Sequence, residues 1–227
     1  MKYIIIGLGT FGASLAQKLT EIGHEVIGVD SDLSKVEAMK EIITHSICLD
    51  STDANAVKHL PLKDTDAVLV CIGENQGANV MATAMMKKLN VKKLISRAIS
   101  PLHQAVLEAM GVDEIVHPEQ ESASRWAKRL NMKGVIDSFE ITPDYSIVEA
   151  IAPQKFVGQT IMEVGFNKNY NVVVLTTIKQ REEKNSLGSI IKVNKVQGVA
   201  SSKTLIDKND ILVMYGLIID IENLLKE

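Results

Sequence analysis

Short apolar runs alternate with helix-like stretches along the first half of the chain. The runs have the unbroken or nearly unbroken apolar character of strands buried in a parallel sheet. They fall at 2–6, 25–30, 46–49, 66–72, 93–98 and 114–117. Between them lie helix signals such as Ser100 before Pro101, a pair typical of a helix N-terminus. This alternation predicts an α/β fold, a doubly wound parallel sheet in the order 3-2-1-4-5-6.

The pattern changes after about residue 134. Segments at 139–142, 146–151, 171–178 and 210–215 are rich in strand-forming residues, and short helices are expected at 158–164 and 217–225. The charged stretch 181–185 predicts a solvated loop. We therefore expect a first domain over 1–133, with a crossover helix at about 118–132, and a small α+β domain over 134–227.

A glycine-rich turn follows the first apolar run. Gly7, Gly9 and Gly12 have the GxGxxG spacing, in which the first glycine permits a tight turn, the second lets a pyrophosphate approach, and the third lets helix and strand pack closely. A helix that begins near Thr10 would point its free N–H groups at phosphates. Asp30 ends the second run at about the expected ~20-residue spacing, and can accept hydrogen bonds from a ribose. The first ~30 residues therefore predict a Rossmann-like nucleotide-binding unit.

Polar residues gather where the predicted strands end. In a doubly wound sheet, ligands bind at the carboxyl ends of the strands, where the strand order reverses. The residues at these ends are the turn at Gly7, Asp30, residues 50–52, residues 73–75 and Arg97. Their convergence is stronger evidence for a nucleotide pocket than the glycine motif alone.

Composition excludes some classes of protein. The net charge is −3 and aromatic residues make up 4% of the chain, which argues against a nucleic-acid partner. Cys48 and Cys71 are interpreted as buried core thiols in a reducing cytosol. With no signal peptide and no apolar run of ~18 residues, we expect a cytoplasmic protein that reaches a membrane only through a partner.

Groups for acid–base catalysis are scarce. No tyrosine is followed by lysine four residues later, and no histidine occurs after His117. His103 and His117 are candidate proton shuttles, but single histidines at helix starts and strand ends are usually structural. We expect a nucleotide sensor and not an enzyme. An NAD-dependent oxidoreductase stays open as an alternative, since Asp30 would favour NAD over NADP.

Several motifs resemble the KtrA/TrkA-type RCK (regulator of potassium conductance) subunits of Trk/Ktr potassium uptake systems, and the likeness covers essentially the whole chain. The matching stretches are Ile-Gly-Leu-Gly-Thr-Phe-Gly at 6–12, Val-Asp-Ser-Asp at 29–32, Leu-Asp-Ser-Thr-Asp at 49–53, Ile-Gly-Glu-Asn at 72–75, Ser-Arg-Ala at 96–98 and Gly-Val-Asp-Glu-Ile-Val-His-Pro-Glu at 111–119.

The resemblance implies a regulatory subunit that gates potassium uptake by conformational change. Such subunits form homo-oligomers, with dimers building an octameric ring at the inner face of the cell membrane, on a membrane-embedded potassium channel or transporter. ATP or ADP, and in some members NAD(H), binds in the first domain.

The resemblance also implies roles for particular residues. The cofactor-binding set is Gly7, Gly9, Thr10, Phe11 and Gly12 at the phosphates, Asp30 and Ser31 at the ribose, Asp50, Ser51 and Thr52 by the adenine, Ile72, Gly73 and Glu74 beside the ligand, and Arg97 at a phosphate. Glu119 would face a γ-phosphate or a divalent cation, Mg²⁺ or Ca²⁺. Many members carry arginine where this chain has Thr10, so Arg97 would take more of the discrimination between ATP and ADP.

Two features of the later sequence allow alternatives. Some relatives bind cyclic di-AMP in the second domain, and residues 166–171 offer asparagine and tyrosine groups for it. The same segment also reads as a polar turn before a strand, and a free-standing cyclic di-AMP receptor is the second alternative function. Trp126 belongs either to a core or to a contact with a partner subunit.

Overall fold

The computed structural model describes residues 1–132, 134–184 and 189–226, without the side chains of 181–184 and 190–192. The chain divides into two compact units, Met1–Gln120 and Glu121–Glu227. The division falls inside the helix that was expected at about 118–132. The predicted domain border after residue 133 remains a prediction.

The first unit is built on a parallel sheet. Its strands are β1 (Lys2–Ile6), β2 (Glu25–Asp30), β3 (His45–Cys48), β4 (Ala67–Val70), β5 (Leu94–Arg97) and β6 (Glu114–Val116). Their order is β3-β2-β1-β4-β5-β6, and all neighbours pair in parallel. The predicted fold class and strand order are confirmed. The order reverses between β1 and β4, which places the ligand crevice of such a sheet there.

Helices connect the strands and cover both faces of the sheet. They are α1 (Thr10–Glu21), α2 (Leu33–Met39), α3 (Ala54–Val57), α4 (Gln76–Lys88) and α5 (Pro101–Ala109). Alternate residues of β1 enter different cores because side chains of a strand point to opposite faces. Ile4 packs in a cluster with Met86 of α4, and Ile5 packs in a cluster with Ala16 of α1.

Helix α6 (Pro118–Asn131) spans the division between the units. None of its described residues is buried. Trp126 is 55% exposed, and the Arg129 guanidinium lies 4.7 Å from its ring centroid. Within the described chain, Trp126 is therefore a surface residue and not part of a core.

The second unit is an antiparallel sheet with short helices. Its strands are β7 (Val135–Glu140), β8 (Tyr145–Ile151), β9 (Val173–Lys184), β10 (Ile190–Val196) and β11 (Ile211–Leu217), in the order β10-β9-β11-β8-β7. The helices are α7 (Ile161–Val164), α8 (Phe166–Tyr170) and α9 (Ile218–Lys226). Phe156, Phe166 and Met214 lie in its core, which confirms the predicted α+β class.

One part of the second unit differs from expectation. The charged stretch predicted as a loop continues β9 as far as Lys184, while Asn185 lies outside the described residues. The loop prediction was wrong for 181–184 because those residues pair with β10, itself not predicted. Across the described chain, the structure contains no helix long and apolar enough to cross a membrane.

Candidate nucleotide-binding site

The glycine turn after β1 has little room for side chains at two of its three glycines. Gly7 has φ of +95°, and a Cβ there would lie 2.9 Å from the backbone nitrogen of Ile72. A Cβ on Gly12 would lie 1.9 Å from the Gly7 carbonyl oxygen. At Gly9, by contrast, no described atom lies within 4 Å of a Cβ. Gly7 and Gly12 are thus required by packing, whereas Gly9 borders open space.

The first turn of α1 faces that open space. Gly9 is the N-cap residue, and no side chain of the described residues caps the helix or places an acid in its first turn. The N–H groups of a helix's first turn have no intrahelical partner, and they carry the positive end of the helix dipole. Thr10 is exposed and Phe11 is half-buried. The turn therefore suits an anionic group such as a phosphate.

Asp30, at the end of β2, holds the glycine turn from the other side. Its Oδ2 accepts a hydrogen bond from the Leu8 N–H at 2.7 Å, and its Oδ1 accepts one from the Asp32 N–H at 2.9 Å. A carboxylate offers about four acceptor positions, so lone pairs remain for a ribose hydroxyl. Ser31 follows and is exposed.

Cys48 lies beside this strand end. Its thiol donates to the Ser31 carbonyl oxygen at 3.6 Å, and it is exposed. The expectation of a buried thiol was wrong here, because β3 is the edge strand and Cys48 is its last residue. Cys71 is buried as expected, and burial raises the pKa of its thiol to about 12.

The turn after β3 is closed by its own side chains. Asp50 Oδ1 accepts hydrogen bonds from the Thr52 N–H at 2.9 Å and the Thr52 hydroxyl at 2.7 Å. The backbone bond, followed by the hydroxyl bond, lowers the pKa of the Asp50 carboxyl. Ser51 is buried. The Leu49 N–H donates to the Asp30 carbonyl oxygen at 2.9 Å, which fixes this turn next to the end of β2.

Arg97, the last residue of β5, crosses to the end of β4. A Cβ on Gly73 would lie 2.5 Å from the Arg97 Nη1, so the guanidinium packs directly against Gly73. The Arg97 Nη1 donates to the Cys71 carbonyl oxygen at 3.4 Å. Its Cζ lies 5.8 Å from the centroid of the Phe11 ring, in a cation–π contact. The guanidinium thus joins the glycine turn, β4 and β5.

Arg97 also forms an ion pair with Glu119, in the first turn of α6. Only 15% of the Arg97 side chain is exposed, against 61% of the Glu119 side chain. The buried Nε of Arg97 has no hydrogen-bond partner among the described residues. A guanidinium has five N–H groups, so Arg97 can donate to a phosphate oxygen as well as to Glu119.

The predicted site residues thus fall into two groups. The structure brings Phe11, Gly73, Arg97 and Glu119 together, and it joins Asp30 to the glycine turn through Leu8. Glu74 is exposed and forms an ion pair with Lys35 at 3.7 Å. In the described ranges no three histidine, cysteine or acidic side chains are clustered as metal ligands, so a cation at Glu119 would need ligands from a bound phosphate or another subunit.

A family model for the TrkA-N domain matches residues 3–118. The chain is 34% identical over 220 residues to the Ktr system potassium uptake protein C of Bacillus subtilis, covering 97% of this chain and 94% of that protein. The chain belongs to the TrkA-N family. It is also 32% identical over 174 residues to the Ktr system potassium uptake protein A of the same organism, covering 77% of this chain and 78% of that protein.

Solved structures agree on the fold of this TrkA-N family member. The GsuK RCK domain matches it with a TM-score of 0.66 at 17% identity, covering 100% of this chain and 48% of that one. The GsuK channel bound to NAD matches with a TM-score of 0.63 at 16% identity, covering 98% of this chain and 38% of that one. The chain therefore spans less than half of those longer proteins. The resemblance to Ktr- and TrkA-type RCK subunits is confirmed, and with it the expectation that the chain is not an enzyme.

Two residues near the site were not predicted from the sequence. Lys35 pairs with Glu74 but lies on a helix with no motif. Asn79 is fully buried in α4 and bonds to the backbone of Ile72 and Arg97. A polar residue on the apolar side of α4, in the first turn of that helix, is the signal that would have found Asn79.

Proposed function

We propose that the chain is a cytosolic regulatory subunit of a potassium uptake system, and that it binds an adenine nucleotide at the carboxyl ends of β1, β2, β4 and β5. The observation that carries the proposal is the pairing of an uncapped glycine turn with Asp30 on one side and Arg97 on the other. Its relatives named for potassium uptake supply the physiological setting.

In this proposal, the phosphates, the ribose and the adenine each contact a different set of the described residues. Open space at Gly9 and the first turn of α1 receive the phosphates. The free lone pairs of Asp30 accept from the ribose hydroxyls, with Ser31 beside them, and the turn of Asp50, Ser51 and Thr52 borders the adenine. Ile72, Gly73 and Glu74 line the opposite edge. The guanidinium of Arg97 donates to a phosphate oxygen.

ATP or ADP is the ligand that we favour, because Arg97 and Glu119 sit together where a terminal phosphate and its cation would lie. Binding of NAD(H) is the alternative within the same pocket. The matching GsuK channel is described as bound to NAD, which supports an adenine dinucleotide on this fold. Glu119 would join Mg²⁺ or Ca²⁺ to a γ-phosphate and, in doing so, would leave Arg97 free for the nucleotide.

The output of the subunit is conformational. We propose that it assembles as a homo-oligomeric ring, eight subunits built from dimers, against a membrane-embedded potassium channel or transporter. Bound nucleotide then shifts the ring between shapes that open and close the pore. This places the chain at the inner face of the cell membrane through its partner.

Cyclic di-AMP receives less support from the second unit. Two of the three asparagines in the predicted segment have local partners. Asn169 donates to the Val164 carbonyl oxygen at 2.8 Å, and Asn171 donates to Asp220 at 3.0 Å. Tyr170 packs edge-on against Phe156. The segment behaves as part of the core and its caps.

Calorimetric titration of the full chain with ATP, ADP and NADH tests the nucleotide site. We expect Asp30→Ala to weaken binding about tenfold or more, since it removes both the ribose acceptor and the Leu8 contact. Asp32→Ala is the matched control, because the Asp32 carboxylate caps α2, and its bond to Asp30 comes from the backbone N–H, which alanine keeps. Unchanged affinity in Asp30→Ala, or no binding by the wild type below about 1 mM, would refute the site.

Potassium flux tests the output. With the chain and its membrane partner in proteoliposomes, we expect flux to differ between ATP and ADP in the wild type and to lose that difference in Asp30→Ala. If the potassium flux of the wild type is the same with ATP, with ADP and without nucleotide, the regulatory role is contradicted even if binding is found.

A further inference from the structure

Asn79 occupies the place where the pairing of β4 and β5 stops. The last paired residues of these strands are Val70 and Ser96. Just beyond them, the Asn79 Nδ2 donates to the Ile72 carbonyl oxygen at 2.9 Å and to the Arg97 carbonyl oxygen at 3.3 Å. One side-chain amide therefore replaces the missing backbone rung and joins the two strand ends that carry Gly73 and Arg97.

The other end of the Asn79 side chain is fixed from three elements. Its Oδ1 accepts from the Ser96 hydroxyl at 3.1 Å, while Thr83 and Ser96 share a hydrogen bond of 3.1 Å. The His103 Nε2 lies 3.1 Å from the same oxygen. An amide oxygen only accepts, so the His103 Nε2 carries a proton, which a neutral imidazole can supply. Burial lowers the pKa of His103 and agrees with this state.

The network is buried, and among its polar side-chain atoms in the described chain only the His103 Nδ1 lacks a hydrogen-bond partner. Asn79 and Thr83 are 0% exposed and Ser96 is 0% exposed. Burying so many polar groups is unfavourable unless each finds a partner, and apolar side chains of similar volume would fill the space with less risk. A polar cluster under the strand ends therefore calls for a reason besides packing.

The position of Arg97 supplies that reason. Its guanidinium lies so close to Gly73 that a single Cβ would displace it. The contact between the guanidinium and Gly73 therefore depends on the separation of the ends of β4 and β5. We propose that Asn79 is a positioning residue for phosphate recognition, because its amide sets the separation of the strand ends that hold Gly73 and Arg97. This inference rests on the proposed nucleotide site.

Removing the donors of Asn79 tests the inference. Asn79→Asp keeps the size of the side chain but loses both N–H groups, and we expect it to weaken ADP binding about tenfold while adenosine binding changes less than about twofold. Adenosine lacks the phosphates that Arg97 would meet, so a merely structural role would weaken both ligands alike. If Asn79→Asp does not fold, Asn79→Ser takes its place in the same titrations.

Two controls separate positioning from general loosening. Thr83→Val removes a hydroxyl that bonds to the Ser96 hydroxyl and the Asn79 Oδ1 but not to the carbonyl oxygens of Ile72 and Arg97. We expect it to lower the melting temperature without changing the ratio of ADP to adenosine affinity. In an Arg97→Gln background, we expect the Asn79 substitution to have no further effect on ADP affinity.

The outcomes are distinct. An unchanged ADP to adenosine ratio in the Asn79 variants, the same change in Thr83→Val, or a full further loss in the Arg97→Gln background would overturn the positioning role while leaving the nucleotide site intact. A wild type that binds neither ligand would overturn the site and this inference together.

Discussion

At the scale of single residues, Gly9 and Gly12 belong to the same motif, but we expect Gly9 to affect nucleotide binding and Gly12 to affect packing. Gly9→Ala places its Cβ in open space, so we expect stability to stay within about 0.5 kcal/mol of the wild type while nucleotide affinity falls at least tenfold. Gly12→Ala meets the Gly7 carbonyl oxygen, and we expect it to lose about 1–3 kcal/mol of stability or more.

Thermal unfolding and calorimetric titration of both variants test whether Gly9 serves binding and Gly12 serves packing. Gly23→Ala is a control for the backbone alone, since Gly23 has positive φ, open space around its Cβ and no place in the site. Equal losses of stability in Gly9→Ala and Gly12→Ala would contradict the packing argument.

Glu119 is the residue whose role depends most on what is bound. In the absence of divalent cations it neutralises Arg97, so we expect Glu119→Gln to raise ATP affinity several-fold by freeing the guanidinium. With Mg²⁺ or Ca²⁺ the wild type gains a ligand for the cation that the variant lacks, and we expect the cation to improve ATP binding less in Glu119→Gln.

Titrations with and without each cation measure both effects. Glu121→Gln, two positions along α6, controls for the loss of a negative charge nearby. A cation effect of the same size in Glu119→Gln and wild type would remove Glu119 from any metal site.

The residues of the pocket were predictable to the extent that they lie at strand ends. Gly7, Asp30 and Arg97 follow or end apolar runs, and the parallel sheet brings such positions to one edge. The contacts between them were not predictable. Asp30 bonds to the Leu8 backbone N–H. Every residue except proline has such an N–H, so the sequence contains no pattern that predicts this contact.

At the scale of elements, α5 shows how a short local signal fixes a helix boundary. Ser100 accepts from the His103 N–H at 3.2 Å, and Pro101 is the first residue of the helix, as predicted. We expect Ser100→Ala to lower the free energy of unfolding by about 1 kcal/mol, because the cap is lost. Ser100→Asp is the control that keeps a capping oxygen.

Denaturant unfolding of the full chain at neutral pH gives the measurement. Equal stability of Ser100→Ala and wild type would show that Pro101 and packing alone set the boundary. The helix also delivers His103 to Asn79, so the ADP affinity of Ser100→Ala reports whether the cap matters beyond stability.

Strands were predictable from the sequence where both faces of their sheet are buried. Strands β1, β2 and β4 of the first unit are covered on both faces, which gives the continuous apolar runs that locate them. Strand β10 lies at the edge of its sheet and pairs only with β9, and its sequence mixes lysine and asparagine with valine and isoleucine. Its pairing, and not its composition, makes it a strand, and the charged end of β9 is explained in the same way.

At the scale of the whole molecule, the strength of one contact limits how the subunit can act. A charge-assisted hydrogen bond between arginine and phosphate is worth about 1.5–3 kcal/mol. Moving a two-state equilibrium from about 1:99 to 99:1 requires ~5.5 kcal/mol of differential affinity. A single Arg97 contact therefore cannot switch a gate by itself. Two to four coupled copies would reach the required free energy, if each copy distinguishes the two nucleotides fully.

This arithmetic requires at least two coupled copies, and the proposed ring built from dimers requires an even number larger than two. Native mass spectrometry of the purified chain should show an even-numbered assembly larger than a dimer, and it should release an adenine nucleotide on activation. Arg97→Gln should keep the assembly but release less nucleotide, since Arg97 is placed at the ligand. A wild type that is a clean monomer would leave too little free energy for switching by this contact. A large assembly without nucleotide would separate ring formation from sensing, and it would contradict the pocket and not the ring.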